Sequence, residues 1–195
     1  MPIEAYTGGI RRYLSDLRDV LAKVDVGEIA VIADVLQTAY DQEKTILTMG
    51  NGGSGSTASH MVCDMNKGAC FHAPKKFRFI SLSDCTPMIL ALGNDVGFES
   101  IFVEQLKAYA RPGDVVLGIS GSGNSPNVLR AIEYAKELGC ITLGAVGFNG
   151  GKLKPLVDHC FHVKVEDMQL VEDVHMVLVH VLMRVLDVQS MVSRP

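Results

Sequence analysis

The chain has 195 residues, 48% of them hydrophobic and 21% charged, enough to bury one substantial core and too apolar for a disordered chain. Eighteen Lys and Arg against 22 Asp and Glu leave a net charge of −4, which excludes the cationic footprint of a nucleic-acid binder. Residues 1–7 include Glu4 and no apolar segment, so no secretory signal is expected. The most apolar stretch, 174–186, is broken by His175, His180 and Arg184, short of the ~20 clean residues that a membrane span needs. The expectation is a soluble, cytoplasmic protein with one domain over 1–195, binding neither nucleic acid nor membrane. Its five cysteines, Cys63, Cys70, Cys85, Cys140 and Cys160, form no CxxC pair. They read as reduced thiols, with Cys63, Cys140 and Cys160 in apolar surroundings.

Residues 1–43 read as N-terminal helices. Ile10, Tyr13, Leu14, Leu17, Val20 and Leu21 recur at spacings of three and four, and after Gly27 so do Ile29, Ile32, Ala33, Leu36 and Tyr40. From 44 onward, short apolar runs alternate with helical patterns. Strands are expected at 45–49, 79–82, 115–119, 141–146 and 160–165, and helices at 56–66, 88–92, 98–109 and 127–138. The runs are apolar on both faces, as parallel strands covered by helices on both sides would be. The fold class is therefore α/β, a three-layer αβα sandwich on a five-stranded parallel sheet. A last helix over about 169–191 is apolar nearly all round between 174 and 186. That predicts burial by several neighbours, and with it a homo-oligomer.

Two Gly/Ser loops each follow a strand and precede a helix: Gly50-Asn51-Gly52-Gly53-Ser54-Gly55-Ser56 and Ser120-Gly121-Ser122-Gly123-Asn124-Ser125. Glycine lets the backbone approach an anion, serine hydroxyls donate, and a helix N-terminus offers unpaired N–H groups. A phosphate ester is the ligand that needs this combination. The first loop also matches G-x-G-x-x-G, but the next strand ends at Asp84, more than 30 residues past Gly50, too far for a dinucleotide fingerprint.

His60 and Asp64 stand at i,i+4 on the helix expected after the first loop, and Glu172, Asp173, His175 and His180 on the last one. Imidazole and carboxylate are ordinary zinc ligands. Read alone, an i,i+4 pair also describes a solvated surface contact, and His180, within the most apolar run, also describes a bonded core histidine. Glu172 and His180 are eight residues apart, ~12 Å along a straight helix. Either the first turn is irregular or the two act from different subunits. His175, His72, His159 and His162 read as structural.

Together the stretches Gly50-Asn51-Gly52-Gly53-Ser54, His60-x-x-x-Asp64, Gly93-Asn94-Asp95-x-Gly97-Phe98, 120–128, Gly150-Gly151-Lys152-Leu153 and Glu172-Asp173-Val174-His175-x-x-x-x-His180 resemble the sugar isomerase (SIS) domain family, and within it the phosphoheptose isomerase group. The resemblance implies a homotetramer with active sites at subunit interfaces. It also implies conversion of sedoheptulose 7-phosphate to a glycero-manno-heptose 7-phosphate. Phosphate would be held by Ser120, Gly121, Ser122 and Ser125, and the sugar by Asn51, Gly52, Gly53, Ser54, Asn94 and Asp95, with Asp64 and Glu172 also facing substrate.

One Zn2+ per subunit would lie on His60, Asp64, Glu172 and His180, with Asp64 and His180 catalytic. The chain departs from the family pattern at three places. Asp64 stands for the family glutamate, Glu172 for its glutamine, and Lys67-Gly68 for a substrate-contacting arginine. Either Asp64 is the base, or that role has passed to Glu172. The alternative readings are a non-catalytic phosphosugar-binding protein similar to those that assist the replication initiator, and an enzyme acting on amino-sugar phosphates. Such binding proteins lack the last-helix histidine that His180 supplies here.

Overall fold

The computed structural model describes residues 3–186. A helical hairpin, α1 (Ile3–Leu21) and α2 (Val26–Asp41), leads into β1 (Ile46–Gly50) and α3 (Gly52–Cys63). Next come β2 (Phe79–Ser81), α4 (Thr86–Asp95), α5 (Ile101–Tyr109) and β3 (Val115–Ser120). The chain continues through α6 (Pro126–Glu137), β4 (Ile141–Val146), the short α7 (Leu153–Leu156), β5 (His159–His162) and α8 (Met168–Val185). All five strands are parallel, in the order β2-β1-β3-β4-β5. The part of the last helix expected beyond 186 lies outside the described residues. No helix among the described residues is long and apolar enough to cross a membrane.

The absence of alternation in the strands has a direct cause. Ile46, Val115, Leu117, Ile119, Leu143 and Ala145 point into a core shared with α2, α3 and α8. Their neighbours Leu47, Met49, Val116 and Val146 point into a second core with α5 and α6. Both faces of the sheet are dry, so both residue parities must be apolar. Three layers follow.

One face of α8 is packed within the chain, where Leu170, Val171, Val174, Leu178, Val179 and Leu182 are buried; Met176, Val177, Val181 and Met183 are half-buried and Val185 is exposed. A second exposed apolar stripe is on α1, where Ile3, Tyr6, Ile10 and Leu14 face solvent. The Tyr13 hydroxyl of α1 donates to Asp173 Oδ2 of α8 at 2.6 Å. The cysteines are all free. Cys63 is exposed rather than buried, because it ends α3 on the outward side. Burial pushes the Cys140 thiol up to about 11 and the Cys160 thiol up to about 12, which removes both as thiolate nucleophiles at neutral pH.

Candidate functional site

The strand order reverses between β1 and β3, which are paired along their length up to Gly50 opposite Ile119. The two Gly/Ser loops therefore leave the sheet side by side, at the crevice where such sheets take their ligands. They are tied together by reciprocal amides. Asn51 Nδ2 donates to Asn127 Oδ1, and Asn127 Nδ2 donates to Asn51 Oδ1, each at 2.9 Å. Asn127 is buried, and its Oδ1 also accepts from the Val128 N–H at 3.0 Å.

The second loop forms a shallow cup at the start of α6. Ser125 occupies the cap position but makes no cap bond with its side chain. Its hydroxyl lies 3.0 Å from that of Ser120 instead. The cup is braced from behind by the loop after β4, where Gly147 N–H donates to Gly121 O (2.8 Å), Leu153 N–H to Gly123 O (2.9 Å) and Lys152 N–H to Asn124 Oδ1 (3.1 Å). Gly123 and Gly151 both have positive φ, and a Cβ on Gly151 would stand 2.5 Å from Ser122 O. Only glycine allows these two backbones to touch. Hydroxyls and helix-terminal N–H groups are the donors that an anion would meet in the cup.

The first loop is shorter than its sequence implied. Helix α3 begins at Gly52, so Gly52, Gly53 and Ser54 form its first turn rather than a loop before residue 56. Asn51 holds the cap position without a side-chain cap bond, its amide being committed to Asn127. Ser54 is buried and does not line the cleft described below. Gly53 lies against the end of the Glu172 side chain, whose carboxylate would have to swing aside for a Cβ there. Helices α3 and α8 thus run parallel, with Gly53 against Glu172 at their starts and His60 against His180 about two turns on.

At that second level three donor atoms converge. His60 Nε2 and His180 Nε2 are 3.1 Å apart, and Asp64 Oδ2 lies 3.3 Å from the first and 3.8 Å from the second. These are the three residues whose ligand atoms gather within 4.8 Å of one another. A tetrahedral ion with bonds of about 2.0–2.1 Å has ligand–ligand edges of about 3.3 Å, so the donor set fits a small divalent cation with one position open. Asp64 owes its place to a π-turn, Asp64–Gly68, closed by the Ala69 N–H on Asp64 O at 2.8 Å. Such turns interrupt helices at functional sites.

Glu172 is not in this cluster. Helix α8 is regular from Met168 onward, capped by the Asp167 carboxylate on the Leu170 N–H. An irregular first turn is thereby excluded, and the eight-residue rise keeps Glu172 at Gly53. The two histidines of α8 also exchange their expected environments. His180 is half exposed at the cluster. His175, set aside as structural, is the buried one, with Nε2 3.2 Å from Val146 O and Nδ1 without a partner among the described residues. Burial pushes its pKa down to about 4, against the opposing pull of the Val146 carbonyl.

A cleft of ≈660 Å³ runs beside these groups, lined by Gly50, Asn51, Ser59, His60, Ser83 and Phe98 among others. Asn94 and Asp95 do not line it. They sit exposed at the end of α4, bonded to each other at 2.7 Å. Three cleft-side residues escaped sequence reasoning. The Ser83 hydroxyl donates to Gly50 O and accepts from Gly50 N–H, and Ser59 bonds to Asp84. Position was the available signal, since Ser83 and Asp84 follow the carboxyl end of β2, where parallel sheets place functional groups.

A family model for the SIS domain matches residues 11–147. The chain is 41% identical to a phosphoheptose isomerase of Geotalea daltonii over 160 residues, covering 82% of this chain and 83% of the relative. It is 33% identical to a probable phosphoheptose isomerase of Thermoplasma acidophilum over 177 residues, 91% and 97% of the two chains. The structure of a phosphoheptose isomerase from Neisseria gonorrhoeae superposes with a TM-score of 0.86 at 26% identity, covering 95% of this chain and 99% of the other. One from Francisella tularensis gives 0.88 at 26% identity, covering 93% and 98%. The anion cup, the His60–Asp64–His180 cluster and these likenesses agree, and the chain belongs to the phosphoheptose isomerases of the SIS domain family.

Proposed function

We propose that this isomerase interconverts sedoheptulose 7-phosphate and D-glycero-D-manno-heptose 7-phosphate, with the phosphate in the second loop and the carbonyl end at the His60–Asp64–His180 cluster. The observation that carries this reading is the convergence of those three donor atoms beside a cleft that opens at the sheet's switch point. Ser120, Ser122 and Ser125, the Gly121 backbone and the N-terminus of α6 hold the phosphate. Asn51, Gly52 and Gly53 meet the sugar along the start of α3, with Glu172 beside Gly53 as a substrate contact. Asn94 and Asp95 belong to the same substrate set by family resemblance.

His60, Asp64 and His180 would hold one Zn2+, which supplies Lewis-acid polarisation of the substrate carbonyl when bound. The rest is proton transfer by the chain. The Asp64 carboxylate accepts the proton from C1 of the ketose, giving an enediolate, and returns it to C2. The His180 imidazole passes a proton from the C1 hydroxyl to the C2 oxygen, completing the aldose without net gain or loss. The working unit is a homotetramer, supported by the solvent-facing stripe of Ile3, Tyr6, Ile10 and Leu14. A cytoplasmic location is supported by five free cysteines.

A coupled assay on sedoheptulose 7-phosphate, with metal analysis of the purified protein, tests the proposal. Asp64→Asn should lose at least ~100-fold in kcat. Glu172→Gln should act mainly on KM. Stoichiometric metal with no turnover would exclude the heptose substrate. A Glu172→Gln loss in kcat matching that of Asp64→Asn would transfer the base to Glu172.

A further inference from the structure

The lining of the cleft is mixed, with Ser59, Ser83 and His60 polar and Ile89 and Phe98 apolar. Asp84 follows the cleft-lining Ser83 after β2, and its Oδ1 is in contact with the Ser59 hydroxyl. Ser59 is held in turn by the Gly55 carbonyl at 3.1 Å.

Asp84 stands one residue before the cap of α4, Cys85, which makes no side-chain cap bond. No backbone N–H donates to the Asp84 carboxylate among the described residues, and its Oδ2 has no hydrogen-bond partner there. The Ser59 hydroxyl, which itself lines the cleft, is the group that orients it.

Each secondary carbon of an acyclic sugar carries one hydroxyl and one C–H bond, so the chain offers polar and apolar contacts together. A fixed carboxylate accepts from two adjacent hydroxyls through charge-assisted bonds, while an aromatic face covers C–H bonds. We infer that Asp84, bonded to the cleft-lining Ser59, is a specificity-determining contact for the polyol chain between the phosphate and the reacting carbons, with Phe98 of the same cleft covering C–H bonds. The inference rests on the phosphosugar reading above and adds a subsite to it.

Binding of two probes by titration calorimetry tests it. One is a hexitol 6-phosphate, which has the phosphate and hydroxyls but no carbonyl to isomerise. The other is inorganic phosphate. Asp84→Asn should weaken the hexitol phosphate by about 10- to 100-fold, the range for a hydrogen bond to a charged group, and leave inorganic phosphate within about twofold. Ser59→Ala should show the same pattern with a smaller loss. Equal losses for both probes, or no loss for the hexitol phosphate, would overturn the inference. Wild-type protein that binds neither probe would overturn the phosphosugar reading itself. The selective loss in Asp84→Asn, together with wild-type protein that gives no turnover, would keep the subsite and remove the isomerase assignment. Because Asp84 is exposed and Ser59 half-buried, matching thermal melts show that both variants are folded.

Discussion

Asn51 and Asn127, 76 residues apart, exchange two hydrogen bonds of 2.9 Å and so join the loop after β1 to the loop after β3. Neither amide can satisfy itself locally. Asn51 forgoes capping α3, and Asn127 is almost wholly enclosed. The pair fixes the distance between the group that would hold phosphate and the groups that would hold the carbonyl end.

Asn127→Ala should therefore remove both bonds and leave the Asn51 amide and the Val128 N–H without their partner. A cost of about 2 kcal/mol is expected, a fall of ~4–8 °C in Tm for a chain of this size. Thermal unfolding followed by circular dichroism checks it, and KM should rise in the same variant because the loops are no longer held in register.

Gly53→Ala should displace the Glu172 carboxylate, the end of a flexible side chain that the new Cβ would meet, at little cost in stability, since alanine is favoured in a helix. Because that carboxylate is the proposed substrate contact beside Gly53, KM should rise while Tm changes little. Urea unfolding and a KM measurement check this; a stability loss above about 2 kcal/mol would mean that the Glu172 side chain cannot move aside.

His175 makes stability depend on acid. Its pKa is about 4 in the fold and about 6.5 in the unfolded chain, so the unfolded state binds the proton first. The stability held above pH 6.5 is lost as pH falls from about 6.5 towards 4, by a total of order 3 kcal/mol. His175→Gln should flatten the stability profile in that window. Urea unfolding at pH 7, 5.5 and 4.5 compares the two proteins.

Tyr13 gives the opposite dependence in alkali. Its hydrogen bond to Asp173, then partial burial and nearby carboxylate charge, push its pKa up to about 12. The unfolded tyrosine ionises near 10, so this contact contributes fully below pH 10 and is lost as pH rises to about 12. Ultraviolet titration of the five tyrosines should show late ionisation from Tyr13 and from Tyr40, whose pKa burial also raises, and Tyr13→Phe should remove the step near pH 12. Limited proteolysis should then cut α1 sooner.

The sequence revealed the sheet because burial on both faces leaves a mark in every strand: Leu117 and Val116 point into different cores, and both must be apolar. It revealed the i,i+4 relation of His60 and Asp64 for the same local reason. It concealed the start of α3, because Gly52 and Gly53 are poor helix formers and the carboxylate beside Gly53 comes from 119 positions away. It concealed which histidine of α8 is buried, since His175 and His180 sit in equally apolar neighbourhoods and only helix phase separates them. The approach of His180 to His60 across 120 residues is a product of packing that no local pattern encodes.

Because α3 starts at Gly52 and carries His60, one stiff rod sets the spacing between the turn proposed to meet the sugar and the donor cluster, about 12 Å over eight residues. A helix does not stretch, so this spacing acts as a built-in gauge of carbon-chain length. A substrate one carbon too short would have to choose between its two anchors, and selection by size would need no moving part.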